Sequence, residues 1–290
     1  MHRPSRSAVP DAPIDARAML TAWSVEPALV VVLALAGALY LRGWRRVAAR
    51  RPGRVGAAHL AAFLAGLAAL FVALASPLDT LAGRSLAIHM AQHVVLLVVA
   101  PGLLLLGAPL VPLLHGLPAG RAGRAAGALA VRVGEWTGRP LVGWLAMSLA
   151  LWGWHVPAAF ELALRSWGWH VVEHACFLAA GLLFWWPVVR PWPDRPRWPA
   201  WTLIPYLLLA DLQNTALAAI LVFSDRVLYP SYGGRPGALD DQIAAGLLMW
   251  VPMSLAYLVP AAIVTARWLS AETTSPARAD RLAARRMAGA

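Results

Sequence analysis

Two pairs of histidines share one spacing. His89 and His93 lie in "IHMAQHVV", and His170 and His174 lie in "WHVVEHAC". Residues four apart stand on one face of a helix, so each pair presents two imidazoles in the same direction. A fifth, His155, sits in "LWGWHVP". Neutral imidazole is a ligand for copper, zinc and iron, so several such residues on neighbouring helices would make a metal layer. Carboxylates and an amide border them: Asp79 in "SPLD", Glu173 between His170 and His174, and Asp240, Asp241 and Gln242 in "LDDQIAAGLLMW". Asp79 and Asp241 would orient ligating imidazoles through their second ring nitrogen. The plain alternative is a set of interfacial histidines bonded to backbone or water.

Two further chemistries fit parts of the pattern. "HVVEH" has the form H-x-x-E-H, the inverted zinc-peptidase motif, in which Glu173 would be general base and zinc would activate water. That reading leaves His89, His93 and His155 without a role. A b-type haem protein would instead use histidines from two different helices as axial ligands.

The elements that must position these residues are membrane spans. Of the 290 residues 60% are hydrophobic and 13% charged, with a mean hydropathy of +0.61; soluble domains carry about 25% charged residues. Seven segments approach the ~20 apolar residues that cross a hydrocarbon core, near 26–42, 56–76, 86–106, 140–157, 167–189, 199–223 and 242–268. The fold class is therefore all-α, a polytopic bundle of about seven transmembrane helices over residues 25–269. A loose polar tail, 1–24, precedes it and a basic tail, 270–290, follows. The stretch 123–136 reads as a short interfacial helix. The first apolar run, "EPALVVVLALAGALYLRGW", ends in an arginine cluster without a small-residue cleavage site and reads as a retained span.

All 25 basic residues are arginine. They cluster in short loops between apolar runs, which makes the net charge of +11 a topology signal rather than a nucleic-acid footprint. The first, third and fifth loops and the C-terminal tail hold 18 arginines, and the opposite side holds 7. Positive loops stay in the cytoplasm, so the N-terminus is expected outside and the C-terminus inside. On that orientation His89, His93, His155, His170 and His174 share one stratum, one to two turns below the outer surface, with Asp79 and Asp241 at its border. His59 and His115 fall toward the cytoplasmic side, and His2 lies in the tail. Such polar groups in a membrane usually face a bundle interior or cavity. The sixth span adds Asp211, Gln213 and Asn214 near mid-membrane, as interhelical hydrogen-bond partners or as the lining of a path to the histidines. Met90, Met147, Met249 and Met253 read as packing residues rather than soft Cu(I) ligands. The single cysteine, Cys176, excludes an intramolecular disulfide.

The stretches "SPLDTL", "HMAQHVVLLVVAPGLLLLGAP", "WHVPAAFELAL", "HVVEHACFLAAGLLFWWPVV" and "VLYPSY", then "LDDQIAAGLLMWVP", occur in this order over roughly residues 75–260. The pattern resembles the seven-span CtaG family of cytochrome c oxidase assembly factors, and not the single-span copper chaperone that shares the name. The resemblance implies a non-enzymatic, multi-pass protein of the bacterial inner membrane that serves a haem–copper oxidase in copper insertion. Copper is then the implied metal, ahead of zinc or haem. The implied partners are an oxidase subunit, a copper donor and the lipid bilayer, with no nucleic acid. The matching positions are His89, His93, His155, His170, Glu173, His174, Asp241 and Gln242; the segment around Asp211 matches least.

Overall fold

The computed structural model describes residues 16–273, apart from 52, 119, 121, 122, 124, 130–133, 135–138 and 195–197. Every regular element among the described residues is a helix. Six helices are long and apolar enough to cross a membrane. They are α2 (Pro27–Arg50), α3 (Ala57–Ala75), the third span Leu86–Leu106, α10 (Trp167–Val189), the sixth span Ala200–Phe223, whose α-helical part is α11 (Leu203–Phe223), and α12 (Ala238–Thr273). A candidate seventh crossing is the pair α8 (Pro140–His155) and α9 (Pro157–Arg165), which are long and apolar enough together and meet at a bend of 76°. Short helices α1 (Ala16–Thr21), α4 (Pro77–Ala82) and α7 (Leu110–Gly116) flank the spans.

The expected spans are present, with shifted ends. The first runs on to Arg50, so Arg42, Arg45 and Arg46 project from a helix rather than a loop. The seventh begins at Ala238 and continues to Thr273. Nothing breaks either helix where the apolar run stops, because arginine, glutamate and alanine are good helix formers. Part of the expected N-terminal tail is helical, in α1; residues 1–15 and 274–290 lie outside the described residues. So does half of the expected interfacial helix 123–136.

The third span is the most deeply buried of the crossings. It consists of α5 (Leu86–Val94), a π-helical turn at Val95–Val99, and α6 (Ala100–Leu106). Pro101 has no N–H to give the carbonyl of Leu97, four residues back. The Trp185 indole of α10 supplies the missing donor, at 3.0 Å from Leu97 O. Gly181, one turn before Trp185, makes the approach feasible: a Cβ there would stand 2.5 Å from Leu97 O and 2.6 Å from Pro101 Cγ. Small residues at such crossings let two backbones meet closely. This seam locks the π-helical turn and α6 of the third span against α10, and the two histidine pairs lie on these two spans.

The start of α5 is held from the opposite side. Asp241, in the first turn of α12, accepts hydrogen bonds from Leu86 N at 2.6 Å, Ala87 N at 3.3 Å and Ser85 Oγ at 2.7 Å. Ser85 Oγ in turn accepts from Ile88 N at 3.2 Å. A carboxylate at a helix N-terminus meets both the orphan N–H groups and the helix dipole.

Candidate metal centre

The two spans bring four imidazoles and the Glu173 carboxylate into one buried layer, which His155 of α8 and Asp79 of α4 join. His89, His93, Glu173 and His174 each offer a donor atom, and these atoms lie within 4.8 Å of one another. Glu173 is fully buried at the middle of the group. Its carboxylate stands 3.9 Å from His89 Nε2, 3.8 Å from His93 Nε2 and 3.3 Å from His170 Nδ1. Asp79, His170 and His174 form an adjoining group with the same spread, and His170 Nε2 lies 4.0 Å from Asp79 Oδ1.

Hydrogen bonds fix the rings. The Tyr232 hydroxyl donates to Ala82 O at 2.6 Å, so its oxygen accepts from His89 Nδ1–H at 2.8 Å. That leaves His89 Nε2 with a lone pair directed at Glu173. His155 Nδ1–H donates to Leu151 O at 2.6 Å in the same way, and its Nε2 is buried with no hydrogen-bond partner among the described residues. Both are the arrangement of a metal-binding imidazole, where one nitrogen is anchored and the other held as a base.

The donors suit a borderline metal. Bond lengths of about 2.0–2.2 Å for nitrogen and oxygen ligands put tetrahedral donors roughly 3.4 Å apart. The separations of 3.8 and 3.9 Å around Glu173 are therefore about half an ångström wider than a loaded site, which rotamer adjustment closes. Three imidazoles and a carboxylate match copper, zinc or iron better than calcium or magnesium.

The layer is roofed. Phe160 of α9 stacks on Tyr229 at 4.1 Å and leans on His89 at 5.0 Å, between ring centroids. Glu161 clamps α9 to the loop after the sixth span, accepting from Ser231 N at 2.9 Å and Ser231 Oγ at 2.6 Å. Arg165 completes the clamp at 3.1 Å. Phe177 closes the other side, 4.4 Å from His93.

The remaining expected residues divide. His155 is in the layer, with its ring 6.4 Å from that of His93, and stands outside both donor groups. Asp241 caps α5 rather than orienting an imidazole. Gln242 ties down the sixth loop, accepting from Leu228 N at 2.7 Å and donating to Leu221 O and Arg226 O. Asp211 accepts from Ser254 Oγ at 2.6 Å and Asn214 donates to Met249 O at 3.2 Å; both join the sixth and seventh spans. Neither belongs to a donor group. His59 accepts from Gly56 N at 3.2 Å and His115 Nδ1 donates to Val111 O at 2.9 Å, both as local helix-end bonds. Three contributors escape a reading by spacing. Gln92 is fully buried and donates to Ala73 O at 2.8 Å and Asp79 Oδ1 at 3.2 Å. Its position inside the first histidine pair was a usable signal. Tyr232 and Glu161 gave none, because their partners are remote in sequence.

A family model described as cytochrome c oxidase caa3 assembly factor (Caa3_CtaG) matches residues 38–271. The chain belongs to that family. The Caa3_CtaG match takes in the whole donor layer and its roof. Among curated proteins, this Caa3_CtaG chain is similar to an uncharacterized protein of Mycobacterium bovis, 26% identical over 295 residues, covering 94% of the chain and 43% of the relative. It is also similar to one of Mycobacterium leprae, 24% identical over 276 residues, covering 90% and 41%. The chain thus spans less than half the length of the curated relatives it matches. No solved structure matches it.

Proposed function

We propose that this assembly factor carries copper as cargo for a haem–copper oxidase, held by His89, His93, Glu173 and His174 and passed on to an apo-oxidase subunit. The observation that carries the reading is the convergence of these four buried donors from two spans, within 4.8 Å of one another, in a chain of the caa3 oxidase assembly family. The surplus of arginines in alternate loops supports an outer position for this layer in a bacterial inner membrane, where a copper donor would deliver the ion. His155, with its buried Nε2, would complete the ligand set when the rings move.

The same geometry speaks against the two other chemistries. Peptide hydrolysis needs a cleft beside Glu173, and here Glu173 is fully buried, as is His89, against which Phe160 leans. A porphyrin needs a flat slot between two axial histidines; the rings of His89, His93, His170 and His174 instead cross one another at centroid distances of 4.0 to 6.5 Å.

Metal analysis of purified wild type beside a His89/His93/His170/His174 quadruple alanine variant is the test. Copper near one equivalent in wild type, lost in the variant, is expected. Equal copper in both would sink the reading, as would full oxidase copper and activity in a strain lacking the protein.

A further inference from the structure

The donor layer contains more ligands than one ion uses, and they fall into two groups that share a residue. His174 belongs both to the group with His89, His93 and Glu173 and to the group with Asp79 and His170. We propose that Asp79, His170 and His174 form a second, shallower metal position, and that a copper ion enters and leaves the deep position through it, keeping His174 as a ligand throughout.

Three observations support this. The first is depth. Asp79, at 9% exposure, is the least buried of these donors, whereas His89 and Glu173 are at 0%. The second is the setting of Asp79. Gln92 Nε2 donates to its Oδ1 at 3.2 Å and Ser24 Oγ to its Oδ2 at 3.3 Å, so the carboxylate is held against His170. Gln92 Oε1, beside it, is buried with no hydrogen-bond partner among the described residues and is a neutral oxygen donor of the kind a passing cation takes. The third is ligand count. A neutral imidazole binds a metal through one nitrogen at a time, so one ion exchanges Asp79 and His170 for His89, His93 and Glu173 while holding His174. No step then leaves a dehydrated ion without ligands, which would be costly in a low-dielectric interior.

This inference rests on the proposed copper role and is tested on the full-length protein in detergent. Purified protein is loaded with Cu(II), and transfer to a chelator in excess is followed in wild type, Asp79→Asn, His170→Ala and His93→Ala. Asp79→Asn keeps the acceptor for Gln92 and so preserves packing. Asp79→Asn and His170→Ala are expected to retain about one copper but to slow its loading and release at least tenfold. His93→Ala is expected to strand copper at the shallow position, with fewer nitrogen couplings in its electron paramagnetic resonance spectrum and faster release. Unchanged rates in both Asp79→Asn and His170→Ala, with copper bound as in wild type, would overturn the second position and leave the deep one standing. Wild type that binds no copper would overturn both.

Discussion

Tyr232 does for His89 what a carboxylate does in many metal sites: it accepts the Nδ1–H hydrogen bond and so presents Nε2 as the base of the neutral ring. Because the hydroxyl has already given its own proton to Ala82 O at 2.6 Å, it can only accept from the ring. Tyr232→Phe removes that acceptor and leaves the imidazole to choose its tautomer. Metal affinity is expected to fall 10- to 100-fold, the usual effect of losing such an outer partner, with the helical circular-dichroism spectrum unchanged. A competitive chelator titration reads the difference, and equal affinity would show that the ring is oriented by packing alone. At this scale spacing was informative. The i, i+4 pairs mark out His89, His93, His170 and His174, because ligands on one helix face recur at that period, whereas Glu173, expected to border them, joins the donor group of His89, His93 and His174. His155 lies in the same buried layer, and its lateral distance from His93 depends on how the helices pack. Tyr232 was hidden because it reaches the site from a loop more than a hundred residues away.

The elements that hold the layer are set by a few close contacts rather than by hydropathy. Gly181 is the clearest case. Gly181→Ala puts a methyl group 2.5 Å from Leu97 O, so α10 must move away from the third span, stretch the Trp185 bond and widen the gap between the histidine pairs. Such overpacking costs about 1–3 kcal/mol. A lower thermal midpoint in detergent and reduced copper occupancy are expected. Gly153→Ala is the control, since nothing lies within 4 Å of its added methyl, and a matching loss there would refute the seam. The apolar runs revealed where the helices are, because a bilayer demands length and apolar surface. They did not reveal the bend after His155, where Pro157 starts a new helix across the end of the bundle, nor the extension of the first span through its arginines. Both depend on where a chain can remain helical, which hydropathy does not measure.

For the whole molecule, orientation in the membrane is open to a direct check. In a Cys176→Ser background, a cysteine at exposed Asp225, in the sixth loop, should react with a membrane-impermeant maleimide in intact cells. One at exposed Arg51, in the first loop, should react only after lysis. The reverse pattern would turn the donor layer toward the cytoplasm. On the proposed copper role, the roof over that layer, formed by Phe160, Tyr229 and the Glu161–Ser231 clamp, bears on which ions could be handled. Donors buried to this degree leave little room for water, so an ion bound there would shed most of its hydration shell. Magnesium surrenders water reluctantly and gains little from imidazole, whereas copper and zinc recover the loss in nitrogen bonds. Selection among cations would then be made on what each one gives up at the threshold, before any ligand inside has compared them.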